Sequence, residues 1–226
     1  MRRISDRRPI TPVTDSESIL RSEPPDLMFV LQHDVLLRSR IVASDRPVLF
    51  HLNLPQSTWE DLGGFCAGLP SELGRFGSAK GMVKIRHRYS YVGFLPAQHW
   101  LGEIALGLGK RAAELASWPL DVHRVLRPQY SRYAQSGHYD WHRDSSLEVN
   151  SLNDRLLTVM IQLSRPGEYE GGAFEVIPPS PPSRRRVVRI PQRSQGTVAV
   201  FPSTWLHRVC PVTAGVRRSI VCWLSA

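Results

Sequence analysis

From residue 122 to the C-terminus the chain breaks into eight short candidate strands, at 122–130, 137–141, 156–163, 173–177, 186–190, 197–201, 207–212 and 217–224. Glycine, proline and serine separate them at short intervals. Runs this short suit strands better than helices, and the close spacing favours antiparallel pairing in a sandwich or barrel. The segment Pro178-Pro179-Ser180-Pro181-Pro182-Ser183-Arg184-Arg185-Arg186 cannot be a central strand and reads as an exposed hairpin tip or flap.

The first half has a different texture. Residues 1–26 are polar and proline-punctuated, which predicts a flexible N-terminal tail. Runs at 27–31, 48–52 and 89–95 have strand length. Ser57 and Glu60 have the spacing of a capping box, which predicts a helix starting there. Between residues 98 and 117, Leu101, Ile104, Ala105, Leu108, Ala112 and Leu115 fall on one helical face, and Pro119 stops the helix. Helices therefore flank a strand-rich half within one domain.

With 226 residues the chain suffices for one well-packed domain. No apolar run approaches the roughly 18 residues of a membrane span. The charged start has no apolar stretch behind it, so no secretory signal is read. Cys66, Cys210 and Cys222 are widely spaced without a CxxC pair. They exclude a disulfide framework and a thiolate zinc site, and they fit a reducing cytoplasm. The formal net charge is +9, and apart from Lys80, Lys84 and Lys110 every basic residue is arginine. Such charge fits nucleic acid, an anionic substrate, an acidic protein partner, or simply a solvated surface.

The residues that can carry chemistry are histidines and carboxylates. Two of the eight histidines have an aspartate two positions on, His138 with Asp140 and His142 with Asp144. In an extended strand such pairs share a face and can converge on one cation. Two histidines and a carboxylate, with open positions left, form the ligand set of non-haem Fe(II) oxygen chemistry. A third ligand, His207, opens a later run. A turn containing Gly215 then leads to Arg217, whose planar fork suits a carboxylate, with Ser219 on the same face. This spacing suits a dicarboxylic acid reaching from a metal to a buried arginine.

Residues 124–223 resemble the Fe(II)- and 2-oxoglutarate-dependent dioxygenases of the prolyl-4-hydroxylase-like branch. The resemblance rests on Tyr133-x-x-x-Gly137-x-Tyr139-x-x-His142-x-Asp144, Arg155-x-x-Thr158, Tyr169-Glu170-Gly171-Gly172 and the segment from His207 to Ser219. It favours His142 over His138, because the tyrosines and Gly137 are in register with His142. It implies a mainly β double-stranded β-helix (jelly roll) with a helical flank. The single domain would span 27–226, with helical support at 56–118 and the jelly-roll core at 122–226.

The resemblance further implies His142, Asp144 and His207 as Fe(II) ligands. Arg217 and Ser219 would bind the distal carboxylate of the cosubstrate 2-oxoglutarate, with Tyr133 as a hydrogen-bond partner. Gln162 stands where a pocket tyrosine is common, a departure from the pattern, and Trp223 is expected as a pocket wall. The implied activity uses O₂ to hydroxylate an unactivated C–H bond while 2-oxoglutarate becomes succinate and CO₂. Asp144 favours hydroxylation, because related halogenases lack this carboxylate. The expected substrate is amino-acid-like, peptidyl or otherwise small and anionic, with an acidic carrier protein as a further partner. A nucleic-acid demethylase is an alternative, but Trp223 stands where that branch carries an arginine, which disfavours nucleic acid. A non-catalytic jelly-roll binding domain is the third reading. No membrane association is expected.

Overall fold

A computed structural model describes residues 44–75, 84–145, 154–179, 186–191 and 194–226. The expected tail at 1–26, the run at 27–31 and residues 180–185 of the proline–arginine segment lie outside the described residues. The helices are α1 (Gln56–Gly68) and α2 (Trp100–Ala116). The strands are β1 (Val48–His51), β2 (Glu72–Leu73), β3 (Arg88–Tyr89), β4 (Tyr91–Phe94), β5 (Arg124–Val125), β6 (Gln129–Tyr133), β7 (His138–His142), β8 (Leu157–Gln162), β9 (Tyr169–Gly171), β10 (Phe174–Ile177), β11 (Val188–Arg189), β12 (Thr197–Pro202), β13 (Leu206–Val209), β14 (Val212–Gly215) and β15 (Arg217–Ser225).

They form a large sheet in the order β1-β12-β8-β15-β6-β4-β2, with β5 also pairing β15, and a smaller sheet β11-β10-β13-β7-β3. Strands β14 and β9 make a separate ribbon. Every pair is antiparallel, as the short runs required. Side chains alternate along β15, so Arg217, Ser219, Val221 and Trp223 line the cavity while Ile220, Cys222 and Leu224 join the core on the opposite face. That opposite face meets α2. Gly109 sits where a Cβ would run into Leu224, so glycine sets how closely the helix packs.

Several expected boundaries shift. The run at 89–95 is two strands. Residues up to Tyr89 pair with β7 in the small sheet, and those from Tyr91 pair with β6 in the large one. The run at 207–212 ends at Val209, and β14 starts at Val212 after Pro211, which has no N–H for a ladder. Helix α1 starts at Gln56 behind Pro55, and no side chain caps it. Ser57 therefore lies inside the helix, and the Glu60 carboxylate accepts from Gln56 Nε2 at 2.9 Å instead of closing a capping box. Helix α2 is capped by His99, whose Nδ1 accepts from the Leu101 N–H at 3.3 Å.

Gly215 makes the turn that delivers Arg217, with φ +70°, and a Cβ there would meet the Glu168 carbonyl oxygen. Gly215→Ala is expected to lower stability by about 1–3 kcal/mol in urea unfolding, through backbone strain and overpacking. His99 gives a pH signature. Burial pushes its pKa down from 6.5 to about 4, so below pH 6.5 the unfolded chain binds the proton and the native chain does not. Its contribution to stability should therefore fall as the pH drops from 6.5 to about 4. His99→Asn, which keeps a capping group, should flatten that dependence in paired urea titrations.

Candidate active site

His142 ends β7 and His207 lies in β13, and the two residues are direct cross-strand partners. Such partners bring their Cβ atoms to about 4.5–5.5 Å, and the two imidazole centroids lie 4.1 Å apart. The β7–β13 register slips, with Tyr139 opposite Val209 and His142 opposite His207, so β7 carries one extra residue. This β-bulge turns both Tyr139 and His142 into the cavity, although they are three residues apart. Their rings stack at 3.4 Å with 12° between planes.

Asp144 follows β7 and is held from two sides. Its N–H donates to the Ser203 carbonyl at 2.9 Å, and its Oδ2 accepts from the Thr158 hydroxyl at 2.8 Å. The Thr158 proton is thereby used, so Ser203 Oγ donates to Thr158 Oγ1 at 2.9 Å. Asp144 lies 3.7 Å from His142 Nε2 and 3.3 Å from His207 Nε2. Ligand atoms of all three residues lie within 4.8 Å of one another.

The tautomers suit a metal. His142 Nδ1 contacts the Asp140 carbonyl at 2.7 Å and His207 Nδ1 the Trp205 carbonyl at 3.0 Å. A carbonyl only accepts, so each Nδ1 carries a proton and Nε2 is the ring nitrogen left to face a metal. Burial and then the neighbouring His207 lower the His142 pKa to about 3, which keeps the imidazole neutral. Against burial, positive charge at His207 and hydrogen bonding from it hold the Asp144 carboxyl well below the usual range. Two imidazoles and one carboxylate fit a divalent cation.

Across the cavity Arg217 is 0% exposed. It donates to Ser219 Oγ at 3.2 Å, lies over the Tyr133 ring at 5.5 Å and hydrogen-bonds the Tyr169 hydroxyl. Gln162 does not line the cavity; its amide is committed to the Tyr169 hydroxyl at 3.0 Å and the Ser164 carbonyl at 3.3 Å. Through Tyr169 it is linked to Arg217. Tyr133, Arg217, Ser219 and Trp223 share one cavity of about 580 Å³ with the triad. His138 is bound to the Ser136 and Arg86 carbonyls, and Asp140 faces His87 at 3.9 Å, so that pair stands outside the triad. Thr158, Tyr169, Arg88 and Arg155 had no assigned role in the sequence reading. All four contact partners distant in sequence or on another strand, and only the motifs Arg155-x-x-Thr158 and Tyr169-Glu170-Gly171-Gly172 hinted at three of them.

Residues 128–225 match the family model described as the 2OG-Fe(II) oxygenase superfamily. A PKHD-type hydroxylase of Stenotrophomonas maltophilia (strain R551-3) is 28% identical over 189 residues, covering 82% of this chain and 76% of that relative. One from Synechococcus sp. (strain CC9311) is 34% identical over 110 residues, 48% of this chain and 44% of the relative. Against that relative, and one of S. maltophilia (strain K279a) covered to 56%, the chain matches about half the length. Among solved structures, a Pseudomonas putida prolyl-4-hydroxylase superposes with TM-score 0.56 at 17% identity, covering 79% of this chain and 91% of that one. A Trichoplax adhaerens prolyl hydroxylase, solved with a peptide fragment of a hypoxia-inducible factor, gives 0.57 at 18% identity, with coverage of 80% and 84%. These likenesses show the jelly-roll fold.

Thr158→Val keeps the shape but removes the hydrogen bond that orients Asp144. It is expected to weaken Fe(II) binding roughly 10–100-fold, read by anaerobic metal titration.

Proposed function

We propose that the chain, whose residues 128–225 match the 2OG-Fe(II) oxygenase superfamily, is an Fe(II)- and 2-oxoglutarate-dependent hydroxylase. The observation that carries the proposal is that a fully buried arginine, Arg217, shares a cavity with a His-Asp-His triad. Burying a guanidinium is costly unless an anion or hydrogen bonds offset it, and the distal carboxylate of 2-oxoglutarate is such an anion.

His142, Asp144 and His207 hold the metal in this reading. Arg217 binds the distal carboxylate, with Ser219 and Tyr133 beside it, and Gln162 braces Tyr169 behind the guanidinium. Fe(II) with 2-oxoglutarate and O₂ supplies the oxidising chemistry that inserts oxygen into an unactivated substrate C–H bond and yields succinate and CO₂. The chain's own contribution is to orient these groups and to line the reaction space with Tyr139, Phe174 and Trp223, which limit water.

The substrate is amino-acid-like, peptidyl or otherwise small and anionic. The peptide-bound prolyl hydroxylase neighbour supports the peptidyl form, and the net charge of +9 supports an anion or an acidic carrier protein. The free thiols of Cys66, Cys210 and Cys222 support a cytoplasmic setting. Among the described residues no helix is long and apolar enough to cross a membrane.

Succinate formed from 2-oxoglutarate with Fe(II) and O₂ tests the proposal. Wild type should turn over, coupled or uncoupled, and His142→Ala should lose more than about 100-fold, since a ligand outweighs its outer contacts. No turnover together with no 2-oxoglutarate binding would sink it.

A further inference from the structure

Three more arginines line the cavity, and the guanidinium groups of two of them are laid on an aromatic wall. Arg88, on β3, lies 4.3 Å from the Tyr139 ring centroid, and Arg155, just before β8, lies 3.6 Å from that of Trp223. Both are held by neutral groups. Arg88 is 7% exposed and donates Nε to Ser90 Oγ at 2.9 Å and Nη1 to the Arg75 carbonyl at 3.0 Å. Arg155 Nη1 approaches the Asp144 carbonyl at 3.5 Å. Among the described residues neither guanidinium forms an ion pair with a carboxylate.

The charges of the cavity leave these two over. Its lining carboxylates are Asp144 and Glu72, and Glu72 pairs with Arg75 at 3.9 Å. In the hydroxylase reading, on which this inference rests, the charges of Fe(II), Asp144, the 2-oxoglutarate dianion and Arg217 sum to zero. Arg88 and Arg155 remain as excess positive charge on the lining of the same cavity, and Arg88 is itself buried, which is costly without an anion. Burial lowers the Arg155 pKa; Asp144 opposes that shift and the charge of Arg88 adds to it. A third donor lies at the same place. The buried Trp223 indole N–H lies near the Asp144 carboxylate, and among the described residues it makes no hydrogen bond of full geometry. Buried indole N–H groups ordinarily find a partner.

We propose that Arg88 and Arg155 form a carboxylate-binding subsite that selects the primary substrate, with the Trp223 indole N–H as an added donor. Arg88 has already committed Nε and one Nη1 proton, which closes its side-on Nε/Nη2 fork and leaves Nη2 to a ligand. A planar carboxylate bridging one donor from each guanidinium matches that supply better than a phosphate, which asks for more donors. The carboxylate belongs to a free amino acid or to an acidic residue of a peptide.

The test is calorimetry on the full chain loaded with Fe(II) and saturating 2-oxoglutarate without O₂, using benzoate, its neutral isostere benzamide, and phenyl phosphate as probes. Benzoate should saturate and benzamide should not. Arg88→Gln and Arg155→Gln should each weaken benzoate tenfold or more, while retained 2-oxoglutarate binding reports that the variants fold. The subsite is overturned if benzoate gives no saturable heat, if benzamide or phenyl phosphate binds as well, or if the double variant keeps wild-type benzoate affinity. Failure of wild type to bind 2-oxoglutarate would instead remove the hydroxylase reading beneath it. Succinate release with free amino acids and with acidic peptides, each against its amide, then separates the two sources. Equal stimulation by acids and amides would also overturn the subsite.

Discussion

The cross-strand pairing of His142 with His207 sets the geometry of everything around it. Directly opposed residues on antiparallel strands are among the closest neighbours a sheet offers. Placing a histidine at each makes two Nε2 atoms converge without any loop having to hold them. The bulge in β7 then decides which other residues join. One extra residue between Tyr139 and His142 reverses the alternation, so both rings face inward and stack. Asp140 is left near the surface, yet its carbonyl still holds the His142 Nδ1 proton. The second HxD pair therefore contributes through its backbone, in support of the first.

The large sheet answers the small one with a fully buried cation. Regular alternation along β15 presents Arg217 and Ser219 to the same space that the triad faces. Arg217 is kept there by Ser219, by Tyr169 and by the face of Tyr133, while Gln162 fastens Tyr169. A charge buried this way is poorly matched to an empty core and well matched to a bound dianion. Arg88 and Arg155 line the same cavity and sit on aromatic rings, with no carboxylate ion pair among the described residues. This part of the chain's positive charge faces the cavity.

Legibility in the sequence followed the strength of the local period. Helix α2 was visible because six apolar residues repeat on one face, and β8, β12 and β15 because they are long apolar runs bounded by breakers. Strands β2 and β9, with two and three residues, are too short to show any period. The helix start was misplaced because Pro55 and Gln56 outcompete the Ser57–Glu60 spacing for the first turn. Gln162 was placed on the right strand, but no local rule could tell that its amide would be taken by Tyr169 rather than by the cavity.

By itself the sequence determined the ligand types, their spacing and the strand-rich architecture, because these depend on residue identity and on the two-residue period of a strand. Only the tertiary structure decided which HxD pair meets His207 on geometric grounds, since that depends on one bulge in the register between strands. It alone brought Thr158 to Asp144, Arg88 to Tyr139 and Arg155 to Trp223, with 14, 51 and 68 positions between the partners. Contacts across such separations come from sheet pairing and packing, and no local pattern encodes them.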